Sequence, residues 1–290
     1  MSISEAGWLV RWLPHRCVRS LSGVSGRSTA LFQPARKRRA LHNLECAFPE
    51  LDASARAELA QRAAIEAAAC AAEGASLRRF DGVGLCRRLA LDGWRNLDAA
   101  QDATQGTLIL VARCGLWQLA ALTVGLYRGP LTVVGRASED SLLRGWSADL
   151  AGHHGQPVIR FEPSMTAEAA GRELGQGGLV AGTLDPGAGG DLDLSFLGRD
   201  VRFDPFPVRA ALAGGAAILP VFARPADRGA YRVEIGESIR PLEAAQEDIE
   251  SLLRRCLEPI EQAVLVQPEL WPWHCGHGAV GLRSESEKSG

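Results

Sequence analysis

Short apolar runs alternate with helical stretches along most of the chain after residue 106. The apolar runs predict strands at residues 107–112, 131–135, 157–161, 178–184, 217–223 and 231–236. Segments with apolar residues three or four positions apart predict helices at residues 116–127, 138–154, 166–176, 207–215 and 247–264. This alternation is typical of an α/β fold with a mostly parallel central sheet flanked by helices.

The sequence before residue 107 has a helical pattern instead. An Ala-rich run without proline predicts one or two helices over residues 52–86. Residues 1–45 contain eight basic and two acidic side chains, and Trp8 and Trp12 recur there at helical spacing. This composition predicts either a helix lying in a membrane interface or an amphipathic helix packed on the domain.

These patterns divide the chain into three parts. We expect a basic amphipathic N-terminal segment over residues 1–45, a single α/β domain over residues 46–280, and a disordered tail over residues 281–290. The most apolar window, residues 107–127, contains Arg113 near its middle. A strand, a turn and a buried helix therefore explain this window better than a membrane span does.

Charge and cysteine content exclude several classes of protein. The chain has 32 basic and 34 acidic residues, so it lacks the excess positive charge of a dedicated nucleic-acid binder. Its seven cysteines form no C-x-x-C pair and no metal-ligand spacing, so we expect free thiols and no metal site. The apolar stretch near the N terminus is interrupted by arginines, which argues against a secretory signal and favours a cytoplasmic location.

Five sequence landmarks follow one another in the order found in a known family. They are RKRRALHNLECAFPELDASARAEL, ILVARCGLWQLA, GTLDPGAGG, SFLGRDVRFDPFPVRAALAGGAAILPVF and PELWPWHCGH. Together they make the chain resemble the lysophospholipid acyltransferase superfamily, and within it the lauroyl and myristoyl acyltransferases of lipid A synthesis. The resemblance covers nearly the whole chain. It implies transfer of a fatty acyl chain from an acyl carrier protein (ACP) or coenzyme A (CoA) thioester to a lipid hydroxyl at the inner membrane.

The resemblance also implies a catalytic H-x-x-x-x-E motif, in which the histidine removes the hydroxyl proton and the carboxylate orients the histidine. Here Arg113 and Gln118 occupy those two positions, while Gly115 and Trp117 keep the surrounding pattern. A guanidinium group does not deprotonate in proteins, and a carboxamide carries no charge. The usual mechanism of the family is therefore not expected in this chain.

Cys114 offers an alternative chemistry. It is predicted to lie beside Arg113, where a strand ends and a helix begins, and helix amide dipoles at that point favour a thiolate. A thiolate could accept the acyl group from a thioester and pass it to a hydroxyl or an amine. A variant of this hypothesis ends in hydrolysis or lactone-forming release of the chain. The alternative interpretation is that Cys114 only replaces a small apolar residue beside the site.

The second hypothesis is a non-catalytic subunit that binds an acyl chain or an acyl carrier protein. Arg113 would then hold a phosphate, a carboxylate or a pantetheine group, unless it pairs with a carboxylate such as Asp185. The resemblance places Asp185, Gly115 and Trp117 in the site. It also implies that Arg199 contacts the phosphate of a carrier or lipid, although a solvated turn arginine is the alternative for this residue.

The resemblance further suggests the substrates and the location. We expect no bound cofactor, acyl-ACP or acyl-CoA as donor, and a lipid or small-molecule acceptor in a specialised lipid or secondary-metabolite pathway. The protein would act as a peripheral protein on the cytoplasmic face of the inner membrane, with acyl carrier protein as its partner. The family's R-x-R-x-G cluster is reduced here to Gly155, which argues against the anionic lipid A acceptor.

Overall fold

The computed structural model describes residues 34–101, 106–154, 158–184, 186, 190–242 and 248–274. The helices are α1 (Pro34–Ala47), α2 (Ala53–Leu77), α3 (Gly82–Cys86), α4 (Trp94–Gln101), α5 (Gln118–Arg128), α6 (Ser141–His154), α7 (Ala167–Gly175), α8 (Phe206–Gly214) and α9 (Ile249–Val266). The strands are β1 (Leu89–Asp92), β2 (Thr107–Gly115), β3 (Leu131–Val134), β4 (Ile159–Glu162), β5 (Leu179–Thr183), β6 (Leu192–Phe196), β7 (Arg199–Phe203), β8 (Ala217–Pro225) and β9 (Tyr231–Ile235). Short 3-10 turns lie at Gly135–Glu139, Asp227–Gly229 and Pro268–Leu270.

The central sheet is mostly parallel. Within the described residues, seven strands pair in the order β1-β9-β8-β2-β5-β3-β4. Neighbours are parallel except β8 and β9, so β1 and β9 run opposite to the other strands. This topology confirms the predicted α/β class, and it places β2 in the middle of the sheet with the candidate residues at its carboxyl end.

Strand β2 is buried on both faces. Leu108, Leu110 and Ala112 belong to a core cluster that includes residues of α7, α8 and α9. Ile109 and Val111 belong to the opposite cluster, which includes residues of α4, α5 and α6. Burial on both faces is typical of central parallel strands, because helices cover both sides of the sheet.

Helix α1 crosses the predicted boundary between residues 45 and 46. Its Ala40 and Leu44 lie in the core, so residues 34–45 pack with the domain. Helix α2 begins after Asp52, whose side chain accepts a hydrogen bond of 2.7 Å from the backbone N–H of Ala55. The predicted interfacial helix around Trp8 and Trp12 and the predicted tail lie outside the described residues.

Strands β6 and β7 form a separate antiparallel hairpin that turns at Leu197 and Gly198. Both residues have positive φ, 49° and 77°, as a two-residue type I′ turn requires. A β-carbon added to Gly198 would lie 2.4 Å from the carbonyl oxygen of Cys46 at the end of α1, so only glycine fits there. The backbone N–H of Leu197 donates to Oε1 of Glu261 on α9 at 2.7 Å. The Gly- and Asp-rich sequence of residues 185–193 predicts a loop, whereas residues 192–193 begin the hairpin.

Candidate functional site

The candidate site is the turn between β2 and α5. Arg113 and Cys114 are neighbours near the end of β2, where the register with β8 shifts between Val111 and Gly115. Their side chains lie on opposite sides of the sheet, because Cys114 packs in one core cluster and Arg113 contacts Trp117 of the other. Gly115 follows with φ of 61°, and a β-carbon there would lie 3.2 Å from the carbonyl oxygen of Ala223 on β8. The turn therefore lies close to the neighbouring strand, at the edge where open parallel sheets commonly bind ligands.

Arg113 lies over the indole ring of Trp117. Its guanidinium carbon is 5.4 Å from the centroid of that ring, within the range of a cation–π contact. Trp117 is buried and Arg113 is partly buried. The position that the family motif gives to a proton acceptor therefore holds a permanent cation in a defined place.

Gln118 begins α5, and its side chain is buried. Its Nε2 donates to Oδ2 of Asp140 at 3.1 Å. Oδ1 of Asp140 accepts a hydrogen bond of 2.8 Å from the backbone N–H of Leu143, which caps the start of α6. A carboxylate from another element thus lies beside the position where the family motif has its own carboxylate. Asp140 was missed because the helix predicted over residues 138–154 included it, whereas the helix begins at Ser141 and Asp140 caps it.

Cys114 lies in the core on the opposite face of β2, and only 4% of it is exposed. Burial raises the pKa of its thiol to about 12; the positive charge of Arg224 lowers this pKa and the negative charge of Glu269 raises it. Arg224 donates to Oε2 of Glu234 and to Oε1 of Gln267, each at 2.9 Å. The thiol is therefore enclosed and protonated at neutral pH, and the nucleophile role of Cys114 stays a prediction.

Glu73 is a second carboxylate that the sequence analysis missed. It is buried on α2 and accepts a hydrogen bond from the hydroxyl of Tyr231 at the start of β9. Tyr231 belongs to the same core cluster as Trp117. The helical spacing of the sequence could have indicated that Glu73 is buried, because it lies three residues after Cys70 and four before Leu77, both buried on the same helix.

Arg199 lies in a different place from the β2–α5 turn. Its Nη1 donates to Oδ1 of buried Asn43 at 2.8 Å, and Nδ2 of Asn43 donates to the carbonyl oxygen of Trp273 at 2.7 Å. The adjoining cavity, which Phe196 and Trp271 also line, has a volume of about 20 Å³, enough for about one water molecule. Three of the five sequence landmarks therefore meet in a hydrogen-bonded cluster that joins α1, β7 and the C-terminal segment.

Asp185 lies outside the described residues, directly after the described Leu184 that follows β5. The five cysteines in the described part of the chain, Cys46, Cys70, Cys86, Cys114 and Cys256, are free thiols. No group of three or more potential metal ligands occurs among the residues that the structure describes. Among the described helices, none combines the length and the hydrophobicity that a bilayer crossing needs.

The fold and the position of the turn define an α/β protein with its candidate site at the carboxyl edge of a mostly parallel sheet. A family model described as bacterial lipid A biosynthesis acyltransferase matches residues 4–275, and the chain belongs to this family. A comparison with curated proteins found no match. The family match confirms the resemblance carried by the five landmarks and supports an acyltransferase-like function.

Proposed function

We propose that this protein binds acyl chains presented as carrier-protein or CoA thioesters and does not perform the hydroxyl deprotonation implied by the family motif. The observation that carries the proposal is the pair of contacts at the motif positions. Arg113 lies over Trp117, and Gln118 is bonded to Asp140. Neither side chain can accept a proton from an acceptor hydroxyl.

The neighbouring carboxylate does not restore the missing base. One oxygen of Asp140 accepts from the Gln118 amide, and the other caps α6 through Leu143. A general base needs an oxygen or nitrogen within hydrogen-bond reach of the proton it removes. Both oxygens of this carboxylate already hold structural hydrogen bonds, and uptake of a proton by Asp140 would remove the negative charge that strengthens them.

Arg113 supports a binding role. Its permanent charge at the edge of the sheet suits a phosphate of a carrier or CoA, or the carbonyl oxygen of a thioester. In this proposal the donor is acyl-ACP or acyl-CoA and the partner is an acyl carrier protein. The protein would hold the acyl chain without turning it over.

A second candidate function is acyl transfer through Cys114. The observation that favours it is Arg224, whose charge opposes the effect of burial on the thiol pKa. In this route the sulfur of Cys114 attacks the thioester carbonyl, the bond between the acyl group and the carrier sulfur breaks, and the carrier thiolate takes the proton that Cys114 releases. The acyl group then passes to a hydroxyl, an amine or water. The route requires that the enclosed thiol becomes accessible.

We further propose that residues 1–45 hold the protein on an anionic membrane surface facing the cytoplasm. The support within the described residues is a run of four exposed basic side chains at the start of α1, Arg36, Lys37, Arg38 and Arg39, with no acidic residue in the first turn. Cations there oppose the helix dipole, and an anionic surface would offset that unfavourable arrangement. Their charge also acts on His274, because burial together with Arg36 and Arg39 lowers its pKa.

Calorimetric titration with dodecanoyl-CoA and dodecanoyl-ACP, followed by an assay of thioester loss, tests the main proposal. We expect saturable binding without thioester loss. Arg113→Gln should weaken binding about 10- to 150-fold, since a hydrogen bond to a charged group contributes about 1.5–3 kcal/mol. Arg254→Gln, a change of an exposed arginine on α9, is the matched control and should bind as the wild type does. Sustained thioester loss by the wild type, or unchanged binding by Arg113→Gln, would contradict the proposal.

A further inference from the structure

The orientation of the Gln118 amide is fixed by its neighbour. Oδ1 of Asp140 is held by the backbone N–H of Leu143, so Oδ2 faces Gln118. An ionised carboxylate only accepts hydrogen bonds, so the Gln118 amide must turn its Nε2 toward Asp140. A flipped amide would bring two acceptor oxygens together. The carbonyl oxygen Oε1 therefore points away from Asp140.

Oε1 of Gln118 is buried and has no hydrogen-bond partner among the described residues. Gln118 as a whole is 8% exposed. Most buried polar atoms in folded proteins have a partner, so such an atom calls for an explanation. The atom lies at the first residue of α5, in the turn that also holds Arg113 and Trp117.

We propose that Oε1 of Gln118 accepts a hydrogen bond from an N–H or O–H group of the bound ligand, and that Asp140 is the positioning residue that keeps this acceptor turned away from its own carboxylate. Because Oε1 is enclosed, the contact requires that the ligand enters the turn beside it. The proposal rests on the proposed function, because it assigns a specific contact to the same acyl-binding site. Two sources supply this chemistry: an amide N–H of the thioester arm, and the hydroxyl of an acceptor molecule.

The substitution Asp140→Asn should reverse the orientation of the Gln118 amide. Asparagine is as good a helix cap as aspartate, so its Oδ1 can keep the bond to Leu143. Its Nδ2 then faces Gln118 in place of a carboxylate oxygen. The Gln118 amide must flip to offer Oε1 to that donor, and its Nε2 then points toward the ligand. The site changes from a hydrogen-bond acceptor to a donor while the cap of α6 is retained.

Two matched pairs of probes test whether residue 118 presents a hydrogen-bond acceptor or a donor to the ligand. The first pair is S-dodecanoyl-N-acetylcysteamine and the analogue in which an ester oxygen replaces the amide N–H. The second pair is dodecanol and dodecyl methyl ether. Dissociation constants are measured by titration for the wild type, Gln118→Met, Asp140→Asn and the control Gln176→Met, which changes an exposed glutamine after α7. Thermal unfolding verifies that each variant is folded.

In the wild type and in Gln176→Met, we expect the member with the N–H or O–H group to bind about 2- to 12-fold more tightly in at least one pair, since one net hydrogen bond contributes about 0.5–1.5 kcal/mol. The pair that shows the preference identifies which group donates to Oε1, the amide N–H of the thioester arm or the hydroxyl of an acceptor molecule. Gln118→Met should bind both members of that pair alike, and Asp140→Asn should lose or reverse the preference. A purely structural role of Asp140 would not reverse it.

The inference is overturned if the wild type binds the two members of each pair equally, as it would if the partner of Oε1 were only an ordered water. It is also overturned if the preference persists in Gln118→Met. In both cases the proposed acyl binding still stands. If none of the four probes binds the wild type, the proposed function and this inference both fail.

Discussion

Burial of the Cys114 thiol should make the protein less stable at alkaline pH. Substitution of this one residue separates its contribution from that of other ionisable groups. The pKa of this thiol is raised to about 12 in the folded chain, because burial disfavours the thiolate. In the unfolded chain the thiol ionises near the ordinary value of about 8.5. Between these two values the unfolded state loses its proton while the folded state keeps it. Stability that is present below about pH 8.5 is therefore lost as the pH rises.

The expected loss follows from the difference in proton binding. At pH 10 the unfolded thiol is almost fully ionised, which lowers the free energy of unfolding by about 2 kcal/mol relative to pH 7. Cys114→Ala removes the thiol and with it this contribution. Urea unfolding of the wild type and the variant at pH 7, 8.5, 9.5 and 10 measures the difference between them, and other ionisations cancel because both chains share them.

We expect the wild type to lose about 2 kcal/mol more than Cys114→Ala between pH 7 and pH 10. A constant difference across this pH range would refute the reasoning. It would mean that Cys114 ionises in the folded chain as it does in the unfolded chain, and the thiol would then be available as a nucleophile.

Three further predictions concern contacts that hold the fold together, and urea unfolding checks each of them. Asn43→Leu removes one buried and one partly buried hydrogen bond and should lower the free energy of unfolding by about 2–4 kcal/mol. A loss below about 1 kcal/mol would contradict the structural role of that cluster. Gly198→Ala and Gly177→Ala both place alanine at positive φ, but the methyl group meets a carbonyl oxygen only at 198 and open space at 177. Gly198→Ala should therefore cost at least about 2 kcal/mol more than its matched control, and equal losses would argue against the close approach. Tyr231→Phe removes the hydroxyl that donates to the buried carboxylate of Glu73 and should lower the free energy of unfolding by about 1.5–3 kcal/mol. An unchanged urea midpoint of unfolding would mean that this hydrogen bond does not form in solution.

The order of strands and helices can be predicted from the sequence because strands and helices differ in the local spacing of their apolar residues. The end of β2 and the start of α5 fall where apolar runs give way to helical spacing, so the turn that contains Arg113 and Gln118 could be located. The replacement of the two motif residues is also visible in the sequence, because it depends only on which side chains occupy matched positions.

The faces of β2 could not be predicted in the same way. Its residues are apolar on both sides of the strand, so alternation does not distinguish one face from the other. Arg113 and Cys114 are neighbours in sequence, and the structure separates them across the sheet. A reactive cysteine and a buried one therefore give the same local pattern.

Contacts between distant elements were also beyond local reasoning. Gln118 at the start of α5 is hydrogen-bonded to Asp140, which directly precedes α6. Glu73 is hydrogen-bonded to Tyr231, 158 positions later in the chain. Each partner has a local signal of its own, a capping position or a helical spacing, but the pairing depends on how the helices pack against the sheet. The cluster of Asn43 and Arg199 has the same origin.

The most direct test of the central claim is intact-protein mass spectrometry of the wild type and Cys114→Ala during incubation with dodecanoyl-CoA at a concentration that saturates binding, with released CoA measured in the same samples. We expect the masses of both proteins to stay unchanged and no CoA to be released, because in the proposed function the thioester is bound without a base or an accessible thiol. An acyl adduct that forms on the wild type and is absent from Cys114→Ala would contradict this account and would establish covalent transfer through Cys114.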